Sequence, residues 1–310
     1  EAPSKKSMRL KNRQSQKIKV SSEKFINLLL AYVLSLNAAV FAFSMEDALF
    51  KTVTSIQGTK PWGKFLDSGT GTHSLRWVNA LSTDGWTAVT ADRNFAENMK
   101  KELKLSEQQK SQIVIGNWAD EDFLEGQSFD TILADYLIGA IDGFSPYFQD
   151  EIIGRLKRHL SPNGRLYVIG MQPVPDDAEG PAKVITEVRQ LRDACILIAG
   201  HRPYREFPLD WVVRQLERND LRVLATKSLP ILHSEMSILR QVDVASRKLP
   251  LFKSRELAKA MEIFIEDLRQ RVVNACKSAK GGKIQLGFDY VVVAELASGI
   301  GNGDVKEMEA

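Results

Sequence analysis

Between residues 60 and 300, short apolar runs alternate with segments in which apolar side chains recur every three or four positions. The first pattern reads as buried strand, the second as amphipathic helix. A strand at 64–67 leads to a helix at about 73–82. The strand "WTAVTA", 86–91, leads to a helix from 94 to about 103. Strands follow at "QIVIG", ending at Gly116, and at "FDTILAD", 129–135. A helix over about 147–160 ends at the turn signal "SPNG", 161–164, and the strand "RLYVIG" closes at Gly170. Strands alternating with helices require crossover connections. The pattern therefore predicts an α/β, doubly wound, mostly parallel sheet.

Two segments break the alternation. A Pro- and Asp-rich loop after Gly170 runs into a helix at 182–199, and the segment 208–229 then resumes the helix-then-strand order. A long amphipathic helix covers 254–279, before a last β-like run, "FDYVVVAEL", 288–296. The predicted organisation is one folded region, 46–300, with helical insertions at about 172–205 and 234–283. A basic tail, 1–24, and an apolar helix, 25–45, precede it, and a short tail, 301–310, follows.

The apolar segment 25–45 holds no charge over a length that can span a bilayer. It reads as a signal peptide cleaved near "AVFA", as a membrane-contacting helix, or as a buried helix packing through Asn27, Ala31, Ser35, Ala38 and Ala42. The chain opens on Glu, which fits a removed presequence and an organelle such as a plastid or mitochondrion. Of the 310 residues 44% are apolar, enough for a sizeable core, and the net charge is +3. Eight Lys/Arg against two Glu lie within residues 1–24, so the rest of the chain is slightly acidic. A nucleic-acid groove in the folded region is therefore not expected. Only Cys195 and Cys276 occur, with no CxxC or His/Cys cluster, so neither a disulfide framework nor a metal site is expected.

The chemistry concentrates in "FLDSGTGTHSL", 65–75. A glycine turn after the first strand lets a ligand approach the backbone at the carboxyl end of the sheet. Gly69 and Gly71 begin a dinucleotide pattern, but position 74 is Ser, and Asp67 ahead of the turn would repel a pyrophosphate. An acid there suits a ligand with an amine. Asp92 ends the second strand, Asn117, Trp118 and Asp120 follow the third, and Asp135 ends the fourth. In this order, the features resemble the class I S-adenosylmethionine-dependent methyltransferases. Their acid-x-Gly-x-Gly-x-Gly motif is matched by "DSGTGTH" except at the last glycine, where His73 stands.

That resemblance covers roughly residues 60–230 plus the final strand. It implies a seven-stranded Rossmann-like sheet, S-adenosylmethionine as cofactor, and a methyl acceptor that is a small molecule or a protein. It places Asp67, Gly69, Gly71 and His73 at the cofactor, Asp92 on its ribose, and Asn117 and Trp118 near its adenine. Asp135 and Tyr136 fall where the family meets its acceptor. "DYLI" departs from the Asn-Pro-Pro-Tyr run used on base amines, which again argues against nucleic acid.

Each residue also has a structural reading. Asp92 can cap the following helix, Trp118 can be core, Asp67 and Asp120 can be turn residues, and Cys195 a small buried hydrophobe. "HRPYREFP", 201–208, can grip an acidic substrate or be a solvated loop. Two other functions compete. One is a non-catalytic subunit or assembly factor at a membrane or larger complex. The other is a nicotinamide-dependent dehydrogenase, against which Asp67 and the missing glycine count. The cofactor is made on the cytosol-like side, and a spanning anchor behind a basic tail would put the catalytic region on the other side. An intracellular enzyme with a surface-lying or buried helix at 25–45 avoids that conflict.

Overall fold

The structure, a computed structural model, describes residues 46–297; the predicted apolar helix at 25–45 and both tails lie outside them. Among the described residues no helix is long and apolar enough to cross a membrane.

A helix, α1 (Glu46–Gln57), precedes the first strand, β1 (Phe65–Asp67). There follow α2 (Thr72–Asn79), β2 (Trp86–Thr90), α3 (Arg93–Glu102), α4 (Glu107–Ser111), β3 (Ile113–Ile115) and β4 (Phe129–Asp135). A single turn, α5 (Leu137–Ala140), leads to α6 (Ile152–Lys157) and β5 (Leu160–Met171). The remaining elements are α7 (Lys183–Ile198), α8 (Leu209–Arg218), β6 (Leu221–Ser234), α9 (Glu235–Lys248), α10 (Arg255–Ser278) and β7 (Lys283–Leu296).

The seven strands lie in the order β3-β2-β1-β4-β5-β7-β6. All pairs are parallel except those made by β7, which runs antiparallel to β5 and β6. The mostly parallel, seven-stranded α/β sheet is the one expected. Successive residues in its central strands are apolar on both faces because both faces are covered. Leu66, Ile132, Val168 and Val292 pack with α6 and α8 on one side. Phe65, Leu133, Tyr167 and Val291 pack with α1, α2 and α3 on the other. Chain order reverses between β1 and β4, and a crevice opens there at the strands' carboxyl ends.

Three boundaries differ from the sequence reading. The helix expected over 147–160 is shorter, and β5 begins at Leu160 across the "SPNG" turn. β6 runs on past 229 and β7 starts before 288, since 230–234 pair with 283–288 beyond the main sheet. Ile284 and Leu286 are buried while Lys283 and Gln285 are exposed, an alternation typical of a half-covered strand.

The helices of the two insertions join in one cap. Val184, Val188 and Leu191 of α7 meet Ile238 and Val242 of α9 and Ile265, Leu268 and Val272 of α10 in a separate apolar core. Both cysteines are free and buried within it. Ser234 and Ser254 cap α9 and α10, each accepting a backbone N–H with its hydroxyl.

Candidate functional site

A cavity of about 770 Å³ lies between the strand ends and the cap. Its floor is the turn between β1 and α2, and β2, β4 and the tip of β5 contribute further wall. Among the described residues no group of three or more His, Cys, Asp or Glu is placed to hold a metal ion.

Asp67 is fully buried and stands behind the turn rather than on the cavity wall. Its Oδ2 accepts the Ser74 hydroxyl at 2.7 Å, and Ser74 Oγ accepts the Gly71 N–H at 3.0 Å. Ser74, at the place of a dinucleotide motif's last glycine, thus ties the turn to the strand. Oδ1 of Asp67 has no well-formed partner among the described residues. Burial pushes the carboxyl up from 3.8 to about 6, while the Thr70 and Ser74 hydroxyls and the Gly69 amide pull the other way.

The two glycines do different work. Both line the cavity, and a Cβ on Gly69 would meet Leu137 Cδ1 at 2.8 Å, so this glycine also lets α5 pack on the turn. A Cβ on Gly71 would have no atom within 4 Å. His73 stacks on Phe50 of α1 with ring centroids 5.1 Å apart. Burial and Arg76 lower its pKa to about 4, so it is neutral at pH 7.

Asp92 takes the capping role and also reaches the cavity. It caps α3, its Oδ1 accepting the Asn94 and Phe95 N–H groups at 2.8 and 3.0 Å, and it lines the cavity beyond β2. Neither bond falls on Oδ2. Asn117 also lines the cavity, but its Oδ1 is engaged by Ser145 Oγ and the Ala119 N–H. Trp118 is 4% exposed, donates Nε1–H to the Ser68 carbonyl at 2.7 Å, and meets Phe123 edge-on. That burial makes it chiefly a core residue bracing the turn.

Asp135 ends β4 on the cavity wall. Burial, with Asp67 and Asp289 nearby, raises its carboxyl from 3.8 to about 8. Tyr136 follows in the left-handed region, φ 48°, a strained setting for an aromatic residue that often marks a functional position. It is held at both ends. Its N–H bonds the Ile169 carbonyl at 3.0 Å, and its hydroxyl donates to Asp289 Oδ1 at 2.7 Å.

The segment 201–208 brings an acid to the cavity that its arginines mask in the sequence. Arg202 turns to Asp142, while Tyr204, Glu206 and the exposed Arg205 line the cavity. Sequence reasoning missed Glu206 and Asp289. The one signal was a lone acid in the apolar run "FDYVVV".

No protein-family model matches the chain, and no curated protein matches its sequence. Solved structures similar to it include the YcgJ protein from Bacillus subtilis, at 15% identity over 79% of this chain and 95% of that one, TM-score 0.47. They include the cyclopropane synthase MmaA2 from Mycobacterium tuberculosis, at 15% identity over 81% and 86%, TM-score 0.46. They also include the mycolic acid cyclopropane synthase CmaA1 complexed with SAH, at 14% identity over 82% and 86%, TM-score 0.46.

Proposed function

We propose that the chain is an S-adenosylmethionine-dependent methyltransferase. One observation carries this reading: an open glycine turn after β1 and an acid with one oxygen left unbonded after β2 meet on a single cavity. The first admits a ligand's backbone and the second can accept from ribose hydroxyls. The residues present fit the cofactor. Gly71 leaves space where any side chain would intrude, and Asp92 Oδ2 takes neither capping bond. Gly71, His73, Asp92 and Asn117 would hold it.

Bound there, the cofactor supplies an electrophilic methyl group carried on a sulfonium. The chain's own part is to position the acceptor and keep water out. Asp135 and Tyr136, at the tip of β4, face the chamber where the acceptor would sit. Asp135, with its carboxyl raised to about 8, holds its proton at neutral pH and gives it up only as the pH rises towards 8. The cap formed by α7, α9 and α10 roofs the chamber.

A calorimetric titration with S-adenosylhomocysteine against NADH tests the reading. Binding of the first and not the second is expected. Binding of NADH alone would replace the methyltransferase reading with a dehydrogenase.

A further inference from the structure

Past the glycine turn the cavity continues beneath the cap, and three carboxyls gather on its wall there. Asp135 at the end of β4, Glu206 in the loop before α8 and Asp289 in β7 all line it. Among the described residues neither the Asp135 nor the Glu206 carboxyl has a hydrogen-bond partner, and Glu206 Oε2 lies 3.2 Å from where a Cβ on Gly139 would stand. Two phenols share the chamber. Tyr136 donates to Asp289, and the Tyr204 hydroxyl is buried with no hydrogen-bond partner.

Of the cations on this wall, Arg205 is exposed to solvent, and Arg192, Arg189 and His233 bond to other groups. Arg192 lowers the pKa of Glu206, yet its guanidinium bonds Asp193 at 2.7 Å and Gln241 at 2.9 Å. Arg189 pairs with Asp176. His233 bonds the Leu286 carbonyl at 2.9 Å, and burial lowers its pKa.

Resting on the methyltransferase reading above, we propose that this chamber takes an amine as its acceptor, bound as the ammonium ion against Glu206 and Asp289 beside the open hydroxyl of Tyr204. Asp289 and the ionised fraction of Glu206 repel an anionic acceptor, and a neutral alcohol leaves that charge uncompensated. An ammonium ion offsets it and brings three donors, for Glu206, for Asp289 beside the Tyr136 hydroxyl it already accepts, and for the Tyr204 oxygen. Aromatic rings alongside favour a cation further. Burial raises all three carboxyls, Asp135 to about 8, Glu206 to about 7 and Asp289 to about 6, so at pH 7 Asp289 is largely ionised, Glu206 about half so, and Asp135 keeps its proton. The ammonium's N–H proton then passes to a carboxylate oxygen, giving a neutral amine and a carboxylic acid and freeing the nitrogen lone pair.

The test is calorimetry on the full chain saturated with S-adenosylhomocysteine, using three ligands of one skeleton: phenethylamine, 2-phenylethanol and phenylacetate. Phenethylamine should bind at least about tenfold more tightly than the other two. Glu206→Gln and Asp289→Asn should each weaken it about tenfold while S-adenosylhomocysteine affinity stays within about twofold. Tyr204→Phe, which breaks no internal bond, should weaken the amine with an unchanged melting temperature, and so guards against variants that merely misfold. Equal or tighter binding of the alcohol or the acid overturns the inference and leaves the methyltransferase reading standing. So does the absence of amine binding up to about 10 mM. Failure of the unmodified chain to bind S-adenosylhomocysteine overturns both.

Discussion

The hydroxyl of Ser74 joins two groups that a ligand-binding turn must keep in register, the Gly71 N–H and the Asp67 carboxylate. Ser74→Ala leaves a fully buried carboxylate short of a donor, and should cost about 1–3 kcal/mol in chemical denaturation. The neighbouring glycines separate stability from binding. Gly71→Val fills open space, so the melting temperature should hold while S-adenosylhomocysteine affinity falls at least about a hundredfold by calorimetry. Gly69→Val drives into Leu137 and should lower the melting temperature instead. Retained affinity in Gly71→Val would take the cofactor away from this turn. The glycines and Asp92 were legible in the sequence because their meaning lies in position at a strand end. Glu206 was not, because two arginines and a histidine mask it in the sequence, and only the folded loop shows which side chains turn inward.

Polar bonds at the end of α1 add to its apolar packing on the sheet: Arg165 Nη1 donates to the Ile56 carbonyl at 3.1 Å, and the Gln57 amide makes several more. Gln57 Oε1 accepts the Tyr167 hydroxyl at 2.6 Å and Arg165 Nη1 at 3.2 Å, and its Nε2 donates to the carbonyls of Lys60 and Pro61. Gln57→Ala orphans the buried Tyr167 hydroxyl, and should lower the unfolding free energy by about 1–3 kcal/mol. Because α1 also carries Phe50 against His73, the same change should loosen the cavity wall. An unchanged denaturation midpoint would show that the amide adds nothing to that packing. Strand tips such as Asp135 could be read from sequence, since an apolar run ending in a charge marks where a sheet opens. α1 shows helical spacing too, at Leu49, Phe50, Val53 and Ile56, but it follows a longer, more apolar stretch that dominates the pattern. Strand β6 ran past its expected end because its outer residues pair only with β7, a partner far away in sequence.

At the scale of the whole molecule the buried acids set the pH response. Asp135, Glu206, Asp289 and Asp67 all bind their protons more tightly folded than unfolded. Their contribution is complete below about pH 4 and is lost as pH rises through about 6 to 8. His73, His201 and His233, with lowered pKa values, act in the opposite sense and gain as pH approaches 6.5. Above about pH 6.5 only the acids still titrate among these groups, so the melting temperature should fall between about pH 6.5 and 8.5. Asp135→Asn should flatten that fall; a melting temperature rising across the window would contradict the assignment of charge.

The cap's core draws on chain from both sides of β6. α7 arrives from the loop after β5, whereas α9 and α10 arrive from between β6 and β7. Transplanting either segment alone from another protein would leave half an apolar core without its complement, Val188 and Leu191 on one side or Val242 and Leu268 on the other. The two stretches therefore behave as one heritable unit written in two places. A lineage changing what this protein accepts has to revise both texts together, or make its changes in the few side chains that look down into the chamber.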